Sequence, residues 1–243
     1  MDFELTYRRF SERSILVEWP QEISESILED VLFFKKSLLG CSIESILQIN
    51  SAYNSLLVIY ELTIDNVNSS VSTLRAHYFN RKLVKKEVTR LFKIPVCYDG
   101  VFGLDLKEIS EEIKRSIPEV IQLHSQPLYT VFFIGFLPGF LYLGGLSERL
   151  HFPRKKSPRL QIKKGAVAIG GAQTGLYPNE SPGGWNIIGN SPVDLFLPKK
   201  KEPCFAKPGD KIQFIPISRT EYESIVLQIE QGIYTIESEV IDG

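Results

Sequence analysis

The sequence predicts an α+β protein, with an N-terminal ferredoxin-like α/β layer followed by a C-terminal β-barrel. Glycine and proline are partitioned: before Lys93 there is one of each, Gly40 and Pro20, and the other 16 glycines and 13 prolines follow. The first part alternates strand-like and helix-like periodicity, while the second is dominated by short apolar runs between Pro and Gly turns. That shift divides the chain into domains 1–92 and 93–243.

In the first part, residues 3–8 and 14–19 are strand-length runs rich in aromatic and β-branched side chains. Ser24 is a candidate N-cap; Ile27, Val31, Phe34 and Leu38 then recur at helical spacing to a stop at Gly40. Residues 43–49 and 55–60 are apolar, β-branched runs joined by a polar NSAYNS turn. Residues 67–80 predict a second, weaker helix, and 89–97 a strand that crosses the boundary. With the first strand set aside, the order β-α-β-β-α-β is that of a split βαβ layer. The segment 81–93 holds six basic residues against one acid, Glu87, and reads as a solvated linker face.

Beyond the YDGVFG turn, residues 105–115 predict a helix with Leu106, Ile109 and Ile113 on one face. A short helix over 118–124 has proline in its first turn. Residues 129–136 form a nearly continuous apolar strand that runs into FLPGFLYLGG, read as an apolar loop. Short strands follow at 160–162, 166–169, 185–188, 193–196 and 211–215, the regular spacing of a closed or nearly closed barrel. Ser218 and Glu221 make a capping box for a helix that Gly232 stops, and 233–238 is a terminal strand.

Composition excludes several classes. With 43% hydrophobic and 23% charged residues the chain can bury a core, and a net charge of −1 favours neither nucleic acid nor an anionic membrane. Three cysteines without C-x-x-C spacing point to a reducing compartment. No secretory signal and no 18-residue apolar run is present, so the expected location is cytoplasmic. The sequence holds no P-loop, no G-x-G-x-x-G and no G-x-S-x-G nucleophile elbow. His77, His124 and His151 lack metal-ligand spacing, so no metal is expected. His124 reads as a helix-end residue, and Cys97 and Cys204 as small buried hydrophobes. No self-contained catalytic constellation emerges, and the catalytic residues stay unassigned.

A binding chemistry does emerge. Residues 165–189, GAVAIGGAQTGLYPNESPGGWNIIG, hold seven glycines, with hydrogen-bonding rather than charged residues between them. That composition predicts a contorted loop tied to strands at both ends, presenting either a tight structural turn or a site. Just upstream, Arg154, Lys155, Lys156, Arg159, Lys163 and Lys164 form a cationic run without an acid. Arg154 and Arg159 each follow a proline and are candidates to clamp a carboxylate or phosphate through paired hydrogen bonds. The pocket candidates are Arg154, Arg159, Gln173, Thr174, Tyr177, Ser181, Trp185 and Asn186.

The segments GFLPGFLYLGGL (135–146), the Pro-Arg pairs at 153–154 and 158–159, and IGGAQTGLYPNESPGGWNIIG (169–189) resemble the family of KipI and the 5-oxoprolinase B subunits. It is also called the allophanate hydrolase subunit 1 family. IPVCYDGVFGLDL (94–106), IQLHS (121–125), SPVDLF (191–196) and PGDKIQFIPI (208–217) follow the same resemblance, which covers the second domain almost fully and the first more loosely. It implies a cyclophilin-like barrel and a B subunit acting with subunits A and C to open 5-oxo-L-proline to L-glutamate with ATP hydrolysis. The chain alone is then inactive, and ATP is a co-substrate of the complex. A second role in the family, inhibition of sensor histidine kinase autophosphorylation, is the alternative reading; a urea or allophanate pathway role ranks third. In lactam hydrolysis Gln173, Thr174 and Asn186 are candidate donors to developing negative charge.

Overall fold

The computed structural model describes residues 3–40, 46–81 and 88–242. The chain forms two compact units, residues 1–87 and 88–243.

In the first unit, β1 (Thr6–Ser11) and β2 (Ser14–Glu18) make a hairpin, followed by α1 (Glu25–Gly40), β3 (Ile46–Ser51), β4 (Ser55–Tyr60) and α2 (Val67–Phe79). The sheet order is β1-β2-β4-β3, antiparallel throughout. Ile15 and Val17 of β2 and Leu56 and Val58 of β4 alternate onto one face. They pack against Ile27, Val31, Phe34 and Leu38 of α1 and Leu74 and Tyr78 of α2. Asn66 caps α2 by accepting from the Ser69 N–H.

The β2-α1-β3 crossover with β4 between its strands is the expected split unit, but the ferredoxin-like layer is not completed. The strand expected to finish it, β5 (Thr89–Cys97), lies whole in the second unit, and β1 pairs with the open edge of β2 instead. Of the basic segment 81–93, residues 82–87 lie outside the described residues, as do Cys41 and the start of the 43–49 run. Arg81 is not a solvated linker residue: its Nη2 lies 2.7 Å from Asp30 Oδ1, with both side chains buried. Asp30 also accepts from Trp19 Nε1 at 2.8 Å and Tyr78 Oη at 2.7 Å, so its charge is both paired and hydrogen-bonded.

In the second unit α3 (Leu106–Glu112), α4 (Ile117–Ser125), β6 (Tyr129–Ile134), β7 (Leu141–Gly144), β8 (Arg159–Ile162), β9 (Ala166–Gly170), β10 (Gln173–Leu176), β11 (Ser181–Gly183), β12 (Asn186–Asn190), β13 (Lys211–Ile217), α5 (Arg219–Glu230) and β14 (Glu237–Asp242) follow β5. Seven strands close a barrel in the order β12-β9-β10-β7-β6-β13-β5, and the ring is sealed by Asn190 of β12 opposite Cys97 of β5. The β5–β13 pair is parallel, and β14 extends the sheet from β5. Ile94, Val96, Tyr129, Val131, Leu141, Leu143, Val167, Ile169, Ile188 and Phe214 fill the interior. The expected capping box forms, with Ser218 and Glu221 opening α5, and a second that sequence reading passed over, Ser116 with Glu119, opens α4.

Five local expectations change. The FLPGFLYLGG segment is not all loop, because Leu141–Gly144 is a barrel strand. The preceding strand ends at Ile134, and Phe136 turns out of it with φ +66°, 62% exposed. Residues 193–196 form no strand and contribute one isolated bridge, Phe196 to Cys204. The glycine-rich loop contains β10, a barrel stave. β8, by contrast, pairs only with β11, in a two-stranded ribbon outside the ring.

Candidate functional site

Strand register sorts the candidate residues into two sets. Asn186 lies opposite Ile169, which lies opposite Thr174, which lies opposite Leu143. Ile169 and Leu143 belong to the barrel interior, and cross-strand partners share a face, so Thr174 and Asn186 point inward. The adjoining row, Ile187, Ala168, Gly175, Tyr142 and Phe133, therefore faces outward. There Ala168 and Ile187 join Phe140, Ile162, Tyr177 and Trp185 in a separate outer core.

The inward pair is closed. Thr174 Oγ1 donates to Ala168 O at 3.0 Å and contacts His124 Nε2 at 2.9 Å. Because the hydroxyl proton is spent on the carbonyl, His124 carries its hydrogen on Nε2 and accepts from Tyr98 Oη at Nδ1, 2.7 Å away. His124 is 0% exposed and stacks on Phe214, and burial pushes its pKa down to about 3. It sits in the last turn of α4 as expected, but as a neutral, fully hydrogen-bonded core residue. Asn186 Nδ2 donates to Pro153 O at 2.8 Å and Ile169 O at 3.3 Å, which fixes its amide and leaves Oδ1 buried without a partner among the described residues. Neither Thr174 nor Asn186 has a donor left for a ligand.

The outward set is open in part. Trp185 lies flat on the barrel wall: a Cβ built on Gly170 would stand 2.7 Å from its ring, and one on Gly175 3.1 Å. Gly170 and Gly175, two of the seven glycines of the stretch, thus allow close approach of this aromatic ring. Tyr177 is buried edge-on to Phe140, with its hydroxyl raised to about 12 by burial. Ser181 sits in β11 with Oγ buried and unpartnered among the described residues. Tyr142 stacks on Phe133, with centroids 4.1 Å apart, and meets Trp185 edge-on at 6.1 Å. Above this shelf the exposed Arg154 places its guanidinium 5.4 Å from the Trp185 ring, and its Nη2 reaches Gln173 Oε1 at 3.4 Å. The amide N–H donors of Gln173 have no partner among the described residues.

The cationic run divides likewise. Arg159 forms a bidentate pair with Asp105, at 2.8 and 2.7 Å, so its fork is spent inside the protein. Asp105 is 2% exposed and also receives Lys155 Nζ at 2.9 Å and the Ile187 N–H at 2.7 Å. Burial alone would raise its pKa, but these partners outweigh burial and hold the carboxyl below its ordinary value. Lys155 also pairs with Glu108, and Lys164 with Asp194. Among the described residues, Arg154, Lys156 and Lys163 have no carboxylate partner. Asp105 escaped sequence reasoning because it reads as a helix start, whereas its side chain caps nothing and instead anchors residues 54 positions away. Tyr142 escaped because the surrounding run reads as loop. His151 is exposed, with Nε2 3.3 Å from Leu146 O. Cys97 is buried, and burial raises the pKa of the part-buried Cys204. Among the described residues no group of acidic, His or Cys side chains could hold a metal, and no helix is long and apolar enough to cross a membrane.

A family model, "Carboxyltransferase domain, subdomain C and D", matches residues 5–206. The 5-oxoprolinase B subunit of Bacillus subtilis (strain 168) is 46% identical over 135 residues, 56% of this chain and 56% of that protein. The chain thus spans little more than half the length of this curated relative. The crystal structure of TTHA0988 aligns with a TM-score of 0.72 at 32% identity, over 85% of this chain and 40% of that one. The K. lactis urea amidolyase structure shares the fold, with a TM-score of 0.84 at 19% identity over 99% of this chain and 16% of that one.

Proposed function

The chain belongs to the carboxyltransferase-domain family, subdomain C and D, together with the 5-oxoprolinase B subunits, and from that membership we propose that it is the B subunit of an ATP-dependent 5-oxoprolinase. In this reading it acts in the cytoplasm with subunits A and C, and the complex opens 5-oxo-L-proline to L-glutamate as ATP is hydrolysed to ADP and phosphate. The barrel is of the cyclophilin-like kind. The observation that carries the proposal is the 46% identity to a protein of that name. Sensor kinase inhibition is not favoured, since the curated relatives at this level of identity are named as enzyme subunits.

The outer shelf is the proposed substrate contact. Arg154 has guanidinium donors to spare and faces solvent, which suits the substrate carboxylate. Gln173, whose carbonyl is turned to Arg154, offers its amide N–H group to the oxygen on which negative charge develops as the lactam carbonyl is attacked. The half-buried Tyr142, stacked on Phe133, supplies an aromatic face for the five-membered ring, with the buried Trp185 edge-on behind it. Thr174, Tyr177, Ser181, Asn186 and Arg159 build the shelf rather than touch substrate. ATP enters as co-substrate of the complex, and no step with it falls to this chain's residues.

The test is reconstitution: this chain is combined with subunits A and C, and ATP-dependent glutamate formation is followed from 5-oxo-L-proline. Glutamate should form only when all three are present. Full activity in the mixture lacking this chain would sink the proposal.

A further inference from the structure

Arg154 owes little of its position to its own side chain, which makes one long hydrogen bond, to Gln173 at 3.4 Å, and one ring contact. Its backbone, by contrast, is pinned on both sides. Upstream, Phe152 and Gly171 exchange backbone hydrogen bonds at 3.1 and 2.7 Å, and Asn186 Nδ2 holds Pro153 O, the carbonyl of the peptide bond leading into Arg154. Pro153 itself restricts φ just before the arginine. Downstream, the Lys155 N–H donates to Gly184 O at 2.8 Å, while its ammonium is drawn 2.9 Å from the buried Asp105 carboxylate. Asp105 is in turn fixed by the Arg159 fork and the Ile187 N–H.

We propose that Asn186 and the Asp105–Lys155 pair are positioning groups that clamp the strap on either side of Arg154 and hold its guanidinium over Trp185. A carboxylate arriving at the shelf then meets an arginine whose backbone ordering cost was met on folding, which is how pre-organisation is converted into affinity. The orientation of the Asn186 amide supports this role: both its hydrogens are committed to main-chain carbonyls. The proposal rests on the reading of Arg154 as the carboxylate-binding group, but its geometry can be tested without the reaction.

The chain has two tryptophans, so Trp19→Phe leaves Trp185 as the sole indole reporter on the full-length chain. In that background Arg154→Gln defines the emission of Trp185 without its cation. Asn186→Leu and Lys155→Met should each move the emission toward that value by about half or more, as expected when a cation–π partner is released. Lys155→Arg, which keeps a charged donor for Asp105, should restore it. In the reconstituted complex the same two variants should raise KM for 5-oxo-L-proline about tenfold with kcat within about twofold, the pattern of lost ground-state positioning. If Asn186→Leu fails to fold, Lys155→Met decides alone, because Asp105 keeps Arg159 and the Ile187 N–H. Unchanged Trp185 emission in folded Lys155→Met would overturn the proposal. Should emission shift while Arg154→Gln leaves KM untouched, the clamp stands and the carboxylate reading of Arg154 falls.

Discussion

Arg154 and Arg159 stand in the same local context, a proline followed by arginine, yet their fates diverge. Arg159 meets the buried Asp105 and becomes structural, while Arg154 meets an aromatic face and stays available. Arg159→Ala should therefore lower stability by about 1–3 kcal/mol, since it leaves a buried carboxylate with only Lys155 and the Ile187 N–H as partners. Arg154→Ala should change thermal stability little and act on substrate KM; a large loss of melting temperature in the second variant would count against this division. His124 makes the companion case for pH. Its folded pKa is about 3, below the ordinary imidazole value near 6.5, so between these limits the unfolded chain binds a proton that the folded chain does not. Stability is then fully present above about pH 6.5 and falls as pH drops toward 3, by up to about 1.4 kcal/mol per pH unit. Urea titrations at pH 7 and pH 5 should show this loss in the parent and much less of it in His124→Gln. Equal losses would mean that carboxylates carry the effect.

Among elements, the glycine-rich stretch shows best why composition misled. It reads as a loop because seven glycines depress strand propensity, yet Gln173–Leu176 is a barrel stave. Gly170 lacks a side chain because Trp185 needs the space, Gly175 because the Leu141 carbonyl and the Trp185 ring both crowd it, and Gly165 sits at φ +79° where the chain turns into β9. A methyl at Gly170 would press on the indole, so Gly170→Ala should cost about 1–3 kcal/mol. Paired with Trp185→Leu, the cost should shrink by more than simple addition allows, and a double-mutant cycle measures that coupling. Additive losses would remove the steric account. Helix ends are easier to read, because a capping box is written within four residues: Ser218 and Glu221 cap α5 as expected.

At the scale of the molecule, the barrel closes within residues 88–243, through Asn190 opposite Cys97 and the parallel β5–β13 pair. Residues 88–243 expressed alone should therefore unfold cooperatively on heating, with Trp185 buried. A broad, non-cooperative melt with exposed Trp185 would show that the first unit is needed for the fold.

Sequence by itself determined the α+β class, most of the helices and strands, the capping box of α5 and the family, because periodicity, caps and long motifs are local and survive in one dimension. Only the tertiary structure decided which sheet each strand joins. β5 serves the barrel and not the first layer, since strand pairing is settled by which apolar faces can be buried together. It also decided which polar residues remain available. Thr174, Asn186 and Arg159 are consumed by partners 6 to 54 positions away, and Arg154 is not. Residue type announces what a side chain can bind, but whether its hydrogen bonds are already spent depends on neighbours that folding alone brings within about 3 Å.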